Sequence, residues 1–198
     1  MRMTLVVNLD RCSGCDSCVT ACKYAHNLPL GSSYNRIQSV EQGEFPDTTQ
    51  YWLPRACQQC ENAPCQSVCP TGATYRDSET NAVLVDREGC IGCGLCIDAC
   101  PYGARSLNTE ASIAWKCDLC DCATSGVGEP GSVPVCVHNC PCGARFFGDL
   151  DDPESDVSRE LAKYGEDAIH TMPDPAGAEP SVRYILSPRI APWSEDVL

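Results

Sequence analysis

Residues 90–105 read CIGCGLCIDACPYGAR, and the reading of this stretch decides the fold. Cys90, Cys93, Cys96 and Cys100 follow C-x2-C-x2-C-x3-C, and Pro101 comes directly after. Residues this close in a tight loop can turn several sulfurs onto one compact object. The fourth sulfur then lies on the helical turn leading away, and the proline stops that turn. The pattern recurs. Cys12, Cys15, Cys18 and Cys22 keep the same spacing. Cys57, Cys60, Cys65 and Cys69 read C-x2-C-x4-C-x3-C and precede Pro70. Cys117 and Cys120 open a fourth set, which Cys136 and Cys140 complete after a 15-residue gap, just before Pro141. Sixteen of the 18 cysteines fall into these four groups.

A shorter repeat closes three of the groups. Residues 69–74 read CPTGAT, 100–105 read CPYGAR and 140–145 read CPCGAR. The first group ends in CKYAH instead and is the divergent one. The box also sorts the two spare cysteines. Cys142 holds the place of Thr71 and Tyr102, and Cys122 breaks the spacing to a C-P box that Cys136 keeps. Both read as small buried non-ligands, with Cys122 in place of Cys136 as the open alternative.

The spacing C-x2-C-x2-C-x3-C-P is that of bacterial ferredoxin runs, which bind iron–sulfur clusters through thiolates. In two-cluster ferredoxins the fourth Cys ligates the other cluster of the pair. The chain therefore reads as a carrier of four 4Fe–4S clusters. Two other uses of cysteine compete. Disulfide frameworks belong to short secreted chains with irregular spacing. Structural zinc takes pairs separated by longer loops, a division that triplets such as Cys12-Cys15-Cys18 resist. The long gap after Cys120 leaves the fourth set the one most compatible with zinc.

The formal net charge of −13 points the same way. An oxidised cubane with its four thiolates carries about −2, so four would add about −8. Such a charge excludes nucleic acid and anionic membrane surfaces as natural partners. The acid is concentrated at the end. Residues 149–198 hold 12 Asp and Glu against 4 Lys and Arg. No apolar run reaches the roughly 18 residues that span a bilayer, so direct membrane insertion is not expected. The start, MRMTLVVNLDRC, has no secretory core, cleavage site or twin arginine. The expectation is assembly in the cytoplasm, with the chain either staying there or leaving folded with a signal-bearing partner, peripheral at the membrane. His26, His138 and His170 are scattered and read as surface or packing residues. With no Gly-rich phosphate loop either, no catalytic residue is expected on this chain.

Short strands are expected at Thr4–Leu9, Gln50–Arg55, Asn81–Asp86, Ala104–Leu107, Ser112–Lys116 and Ala144–Phe147, each running into or out of a cysteine loop. A helical turn is expected over Asp16–His26. Residues 29–48 read as a linker and 124–134 as a Gly/Pro loop. Asp152-Pro153 reads as an N-cap with proline at N1, opening a helix over 153–164 with Val157, Leu161 and Tyr164 on one face. Residues 172–181 read as extended and Val182–Leu186 as a late strand. The fold class is α+β: two ferredoxin-like dicluster modules, one inserted in the other, with an extended C-terminal tail. By analogy with the ligand swap, residues 1–48 with 109–150 form the first module and 49–108 the inserted one. Residues 151–198 are an acidic tail that docks on, and takes its order from, a partner.

Through residues 3–150, and on into GDLDDPES at 148–155, the chain resembles the four-cluster electron-transfer subunits of the DMSO reductase family of molybdopterin oxidoreductases. Relatives there serve polysulfide, thiosulfate, DMSO and arsenate reductases and related dehydroxylases. The resemblance implies a large catalytic subunit holding a molybdenum or tungsten pterin, and a membrane quinone subunit or other redox partner. It implies the ligand sets Cys12, Cys15, Cys18 with Cys140; Cys117, Cys120, Cys136 with Cys22; Cys57, Cys60, Cys65 with Cys100; and Cys90, Cys93, Cys96 with Cys69. No ligand position is replaced. The competing readings are a subunit of a tungsten enzyme or hydrogenase, a free polyferredoxin, and a zinc-binding interaction module.

Overall fold

The structure, a computed structural model, describes residues 1–121 and 133–197. Its first elements are β1 (Met3–Asn8), α1 (Ser17–Ala25), β2 (Arg36–Gln42), β3 (Thr49–Arg55), α2 (Pro64–Ser67), β4 (Thr74–Arg76) and β5 (Val83–Val85). There follow α3 (Leu95–Asp98), β6 (Arg105–Asn108), β7 (Ile113–Lys116), α4 (Val135–His138) and β8 (Arg145–Asp149). The last are α5 (Asp156–Leu161), β9 (Ile169–His170) and β10 (Arg183–Ile185). This is a small mixed α/β protein with short helices and small sheets. Cys122 and most of the expected 124–134 loop lie outside the described residues.

One four-stranded sheet, in the order β8-β1-β10-β9, ties the two ends of the chain together. β1 runs antiparallel to β8 and parallel to β10, with Val7 opposite Tyr184. Side chains alternate across a strand, and the sheet uses both faces. Val6 and Ile185 point to one face, where Val157 of α5 packs on them with Phe146, Leu161 and Tyr164 alongside. Leu5, Val7, Tyr184 and Leu186 belong to the main core on the other face. Covered on both faces, β1 reads as an almost unbroken apolar run.

Three two-stranded hairpins complete the strands: β2–β3, β4–β5 and β6–β7. An isolated hairpin is marginal in water, and these stand over cysteine loops that metal can nucleate. The β2 strand lies inside the expected linker and pairs with β3 over seven positions, from Arg36↔Arg55 to Gln42↔Thr49. Its polar sequence, RIQSVEQ, conceals it, since only Val40 is fully buried. The boundary drawn at 48/49 thus falls inside a hairpin, as does the one at 108/109, between β6 and β7.

The C-terminal segment forms the expected helix and late strand, but they pack on this chain's own sheet, and the segment adds β9 as well. Met172, Ala178, Val182, Tyr184, Ile185, Leu186 and Val197 are all buried within this chain. The helix also starts later than expected. The Ser155 hydroxyl accepts the Ser158 N–H at 3.2 Å and caps α5, whereas the Asp152 carboxylate accepts the Glu154 N–H at 2.9 Å and closes a turn before it. Val157, Leu161 and Tyr164 do anchor the helix, and they do so on the chain's own sheet.

Candidate metal centres

Each cysteine loop begins with the same backbone twist. The residue before the second Cys has positive φ in all four motifs: Gly14 at 67°, Gln59 at 49°, Gly92 at 67° and Leu119 at 60°. Glycine adopts this conformation freely; Gln59 and Leu119 adopt it under strain and must be held there. Gln59 is held by its amide: its Oε1 accepts the Val83 N–H at 2.8 Å, and its Nε2 donates to the Cys117 carbonyl at 3.2 Å. Leu119 is held by burial, at 1 % exposure. The loops also crowd their surroundings. A Cβ on Gly14 would come within 2.4 Å of the Trp52 ring.

The cysteine sets converge across motifs. Cys12, Cys15, Cys18 and Cys140 line one pocket, together with Val7, Ile37 and Pro54. Cys57, Cys60, Cys65 and Cys100 line a second, with Val83 and Pro101. Cys22 lies beside Cys120 and Cys136, and Cys117 lies beside Cys136 and Cys22. Cys90, Cys93 and Cys96 share a loop and helix, and Cys69 leaves α2, which packs on α3. No disulfide joins the 17 described cysteines. Among the described residues, no three His, Cys, Asp or Glu converge tightly enough for a single ion. A tetrahedral zinc site needs all four sulfurs about 2.3 Å from one point. Quartets spread around an apolar cavity instead fit a multi-atom cluster.

The electrostatics fit as well. Burial, then the neighbouring Cys136 and Cys120, pushes the Cys22 thiol up to about 12. Burial, then Cys57, raises Cys60, and burial, then Cys136, raises Cys117. Such thiols ionise together only when cationic metal lies among them. Backbone donors point at the sulfurs: the Ala144 N–H reaches Cys140 Sγ at 3.2 Å, and the Ala114 N–H reaches Cys90 Sγ at 3.4 Å. Burial works against the Cys69 thiolate, but the Thr74 N–H and Thr71 hydroxyl outweigh it and bring that thiol to about 7.

Several residues outside the cysteine motifs belong to the site. Arg105 and Arg145, the last residues of the two C-P-x-G-A-R boxes, are 6 % and 5 % exposed. Arg105 Nη2 donates to Cys65 Sγ at 3.1 Å. Arg145 lines the Cys12 cavity, and its Nη1 is buried without a hydrogen-bond partner among the described residues. Lys116, at 4 % exposure, donates to the Cys117 carbonyl at 2.7 Å. The repeated box carried the signal for both arginines, and nothing comparable marks Lys116. His26, expected at the surface or in packing, sits with Nε2 3.4 Å from Cys120 Sγ. Cys142 is exposed rather than buried, with Sγ 3.3 Å from the Ser13 hydroxyl.

Loops of this geometry define a ferredoxin-type iron–sulfur protein. Comparison with known proteins agrees: residues 48–150 match the family model of the 4Fe-4S dicluster domain, and residues 9–25 match a 4Fe-4S binding domain. A sulfite dehydrogenase subunit of Allochromatium vinosum is 40% identical over 201 residues, covering 93% of this chain and 82% of that one. A putative dimethyl sulfoxide reductase iron-sulfur subunit of Halobacterium salinarum is 37% identical, covering 98% and 83%. A tetrathionate reductase subunit of Salmonella typhimurium is 37% identical, covering 93% and 72%. The chain belongs to the iron–sulfur electron-transfer subunits of the molybdopterin oxidoreductases. No helix among its described residues is long and apolar enough to cross a membrane.

Proposed function

We propose that this chain relays electrons between a large molybdopterin catalytic subunit and a second redox partner, such as a membrane quinone subunit, through four 4Fe–4S clusters. The clusters, when bound, accept and release one electron at a time. The chain's own residues hold them, exclude water and set their charge environment. Cys140 completes the set of Cys12, Cys15 and Cys18, and Cys100 that of Cys57, Cys60 and Cys65. Cys22 completes the set of Cys117, Cys120 and Cys136, and Cys69 that of Cys90, Cys93 and Cys96. Motifs one and four then form one dicluster module, and motifs two and three the inserted one.

The observation that carries this reading is the swapped fourth cysteine. Cys140 lines the motif-one cavity and Cys100 the motif-two cavity, each contributed by a motif distant in sequence. Gln59 bonds the Cys117 carbonyl, and Lys116 lies beside Cys65, so motifs two and four meet at the motif-four loop. The names of the relatives, subunits of a sulfite dehydrogenase and of dimethyl sulfoxide and tetrathionate reductases, support a catalytic partner. Anaerobic affinity purification of the intact chain from its native cells tests the partner. A stoichiometric large subunit with pterin-bound molybdenum or tungsten is expected. Recovery of the chain alone, loaded with iron, would favour a free carrier instead.

A further inference from the structure

Three buried cations stand between the cysteine sets, and each lies beside two of them. Arg105 donates to Cys65 Sγ of the motif-two set and lies beside Cys96 of the motif-three set. Arg145 lines the cavity of Cys12, Cys15, Cys18 and Cys140 and lies beside Cys136 of the motif-four set. Lys116 bonds the Cys117 carbonyl and lies beside Cys65, so it falls between the two modules. All three are under 7 % exposed in a chain of net charge −13. None has a carboxylate within ion-pairing distance among the described residues. A buried cation without a counter-ion is costly, and here thiolates are the anionic groups at hand.

The sequence limits each module to one such guanidinium. The two boxes of the inserted module end in Thr74 and Arg105, and Arg105 Nη1 donates to Thr74 Oγ1 at 3.2 Å, so equivalent positions meet as one cation and one hydroxyl. In the other module only motif four has the box, and Arg145 is the single box arginine there. The basic residues flanking motif one turn elsewhere: Lys23 to the carbonyls of Pro29 and Ser32, and Arg11 to the Gly143 carbonyl and Glu160.

We propose that Arg145, Lys116 and Arg105 form a ladder of fixed positive charge, one rung between each successive pair of clusters, that sets the electron-accepting level of the wire. The proposal rests on the four-cluster reading above. Passing one electron along the wire takes one negative charge from a cluster, about −3 to −2, and adds it to the next, about −2 to −3. A cation placed between the two stabilises whichever of them holds the electron. It therefore raises both potentials together and offsets the repulsion between neighbouring anions without favouring one direction. Asp118 works the other way at the motif-four set, where it lies beside Cys117 and Cys22. Lys116 is the cation opposing it.

The test is redox-poised electron paramagnetic resonance on the anaerobically purified full chain, with iron counted in the same samples. Arg105→Met is expected to keep its iron and lower the reduced-to-oxidised ratio about tenfold at fixed poise, a shift of about 59 mV to more negative potential for a one-electron couple. The shift should appear in the clusters of motifs two and three. Arg145→Met should shift the other two, and Lys116→Met one from each module. Arg105→Lys and Lys116→Arg, which keep the charge, should leave potentials near wild type. Full iron with unchanged potentials in the Met variants would overturn the ladder, as would equal shifts in Met and charge-retaining variants. Iron lost from both Met and Lys variants at position 105 would mark a packing role and overturn it too. Iron lost only with Met would also overturn it, since the charge would then govern occupancy and not potential. A wild-type chain holding well under about 16 iron would instead refute the four-cluster reading beneath it.

Discussion

The cysteine loops and the C-terminal segment are organised in opposite ways. The loops are largely local: the first three motifs hold four ligand positions within about a dozen residues, each of the four carries one forced backbone twist, and three end in a C-P-x-G-A box with glycine at positive φ at 72, 103 and 143. The C-terminal segment is almost wholly non-local. β10 lies parallel to β1, some 175 positions away along the chain. The Tyr184 hydroxyl donates to the Pro54 carbonyl and accepts from Gln58 Nε2, between two cysteine loops. The Glu61 and Asn62 N–H groups donate to the carbonyls of Glu179 and Ala178. The loops define where metal goes; the tail clamps the loops to one another.

The sharpest way to break this contrast is truncation after Leu150. If the tail were only a docking arm, the shortened chain would keep its clusters. With β10 removed, one side of β1 is left unpaired and the core around Tyr184 is opened. The truncated chain is expected to lose half or more of its iron, measured by colorimetric iron and sulfide assay. Full retention would return the tail to a docking role.

A smaller effect separates the loops from each other. Cys22→Ser should cost about four iron and abolish the signal of the cluster held by Cys117, Cys120 and Cys136, leaving that of the Cys12 set. Loss confined to the Cys12 set would refute the swap.

Smaller still is the tail's polar anchor. Glu160, at 1 % exposure, accepts from Asn8 Nδ2 at 2.9 Å and from Lys163 Nζ at 2.6 Å. Burial works against its carboxylate, but Lys163, Asn8 and Arg11 outweigh it and hold its pKa below the ordinary 4.5. The stabilisation is therefore complete above that ordinary value and is lost as pH falls through the lowered one. Glu160→Gln should cost about 1–3 kcal/mol at neutral pH. Hydrogen exchange across α5 should show faster opening in the variant and less acid dependence below pH 4.5. Unchanged exchange would mean the anchor carries no weight.

The smallest expected effect is none at all. Cys142 is exposed near the Cys12 cavity, beside the Ser13 hydroxyl. Cys142→Ala should leave iron content unaltered, and a loss of about four iron would make it a ligand.

What the sequence made legible follows the same division. Ligand spacing, boxes and flanking strands are short-range patterns, and they predicted β1, β3, β5 to β8 and α1 closely. The strand β2 was hidden because its sequence, RIQSVEQ, is mostly polar and buries only Val40. The role of the tail was hidden because β10 has only three residues, and what makes it central is a neighbour at the other end of the chain. At the site, the cysteines announced themselves, whereas Arg105 and Arg145 sat in the repeated boxes without standing out. An arginine after Gly-Ala reads as surface until the fold buries it. Gln59 reaches the Cys117 carbonyl and Lys116 lies beside Cys65, relations between distant motifs that no linear pattern encodes.

The number of clusters is the point on which the reading of this chain turns, and one measurement addresses it directly. Iron and acid-labile sulfide counted on anaerobically prepared full-length protein should each come to about 16 per chain. A count near 8, or stoichiometric zinc in place of iron, would contradict it.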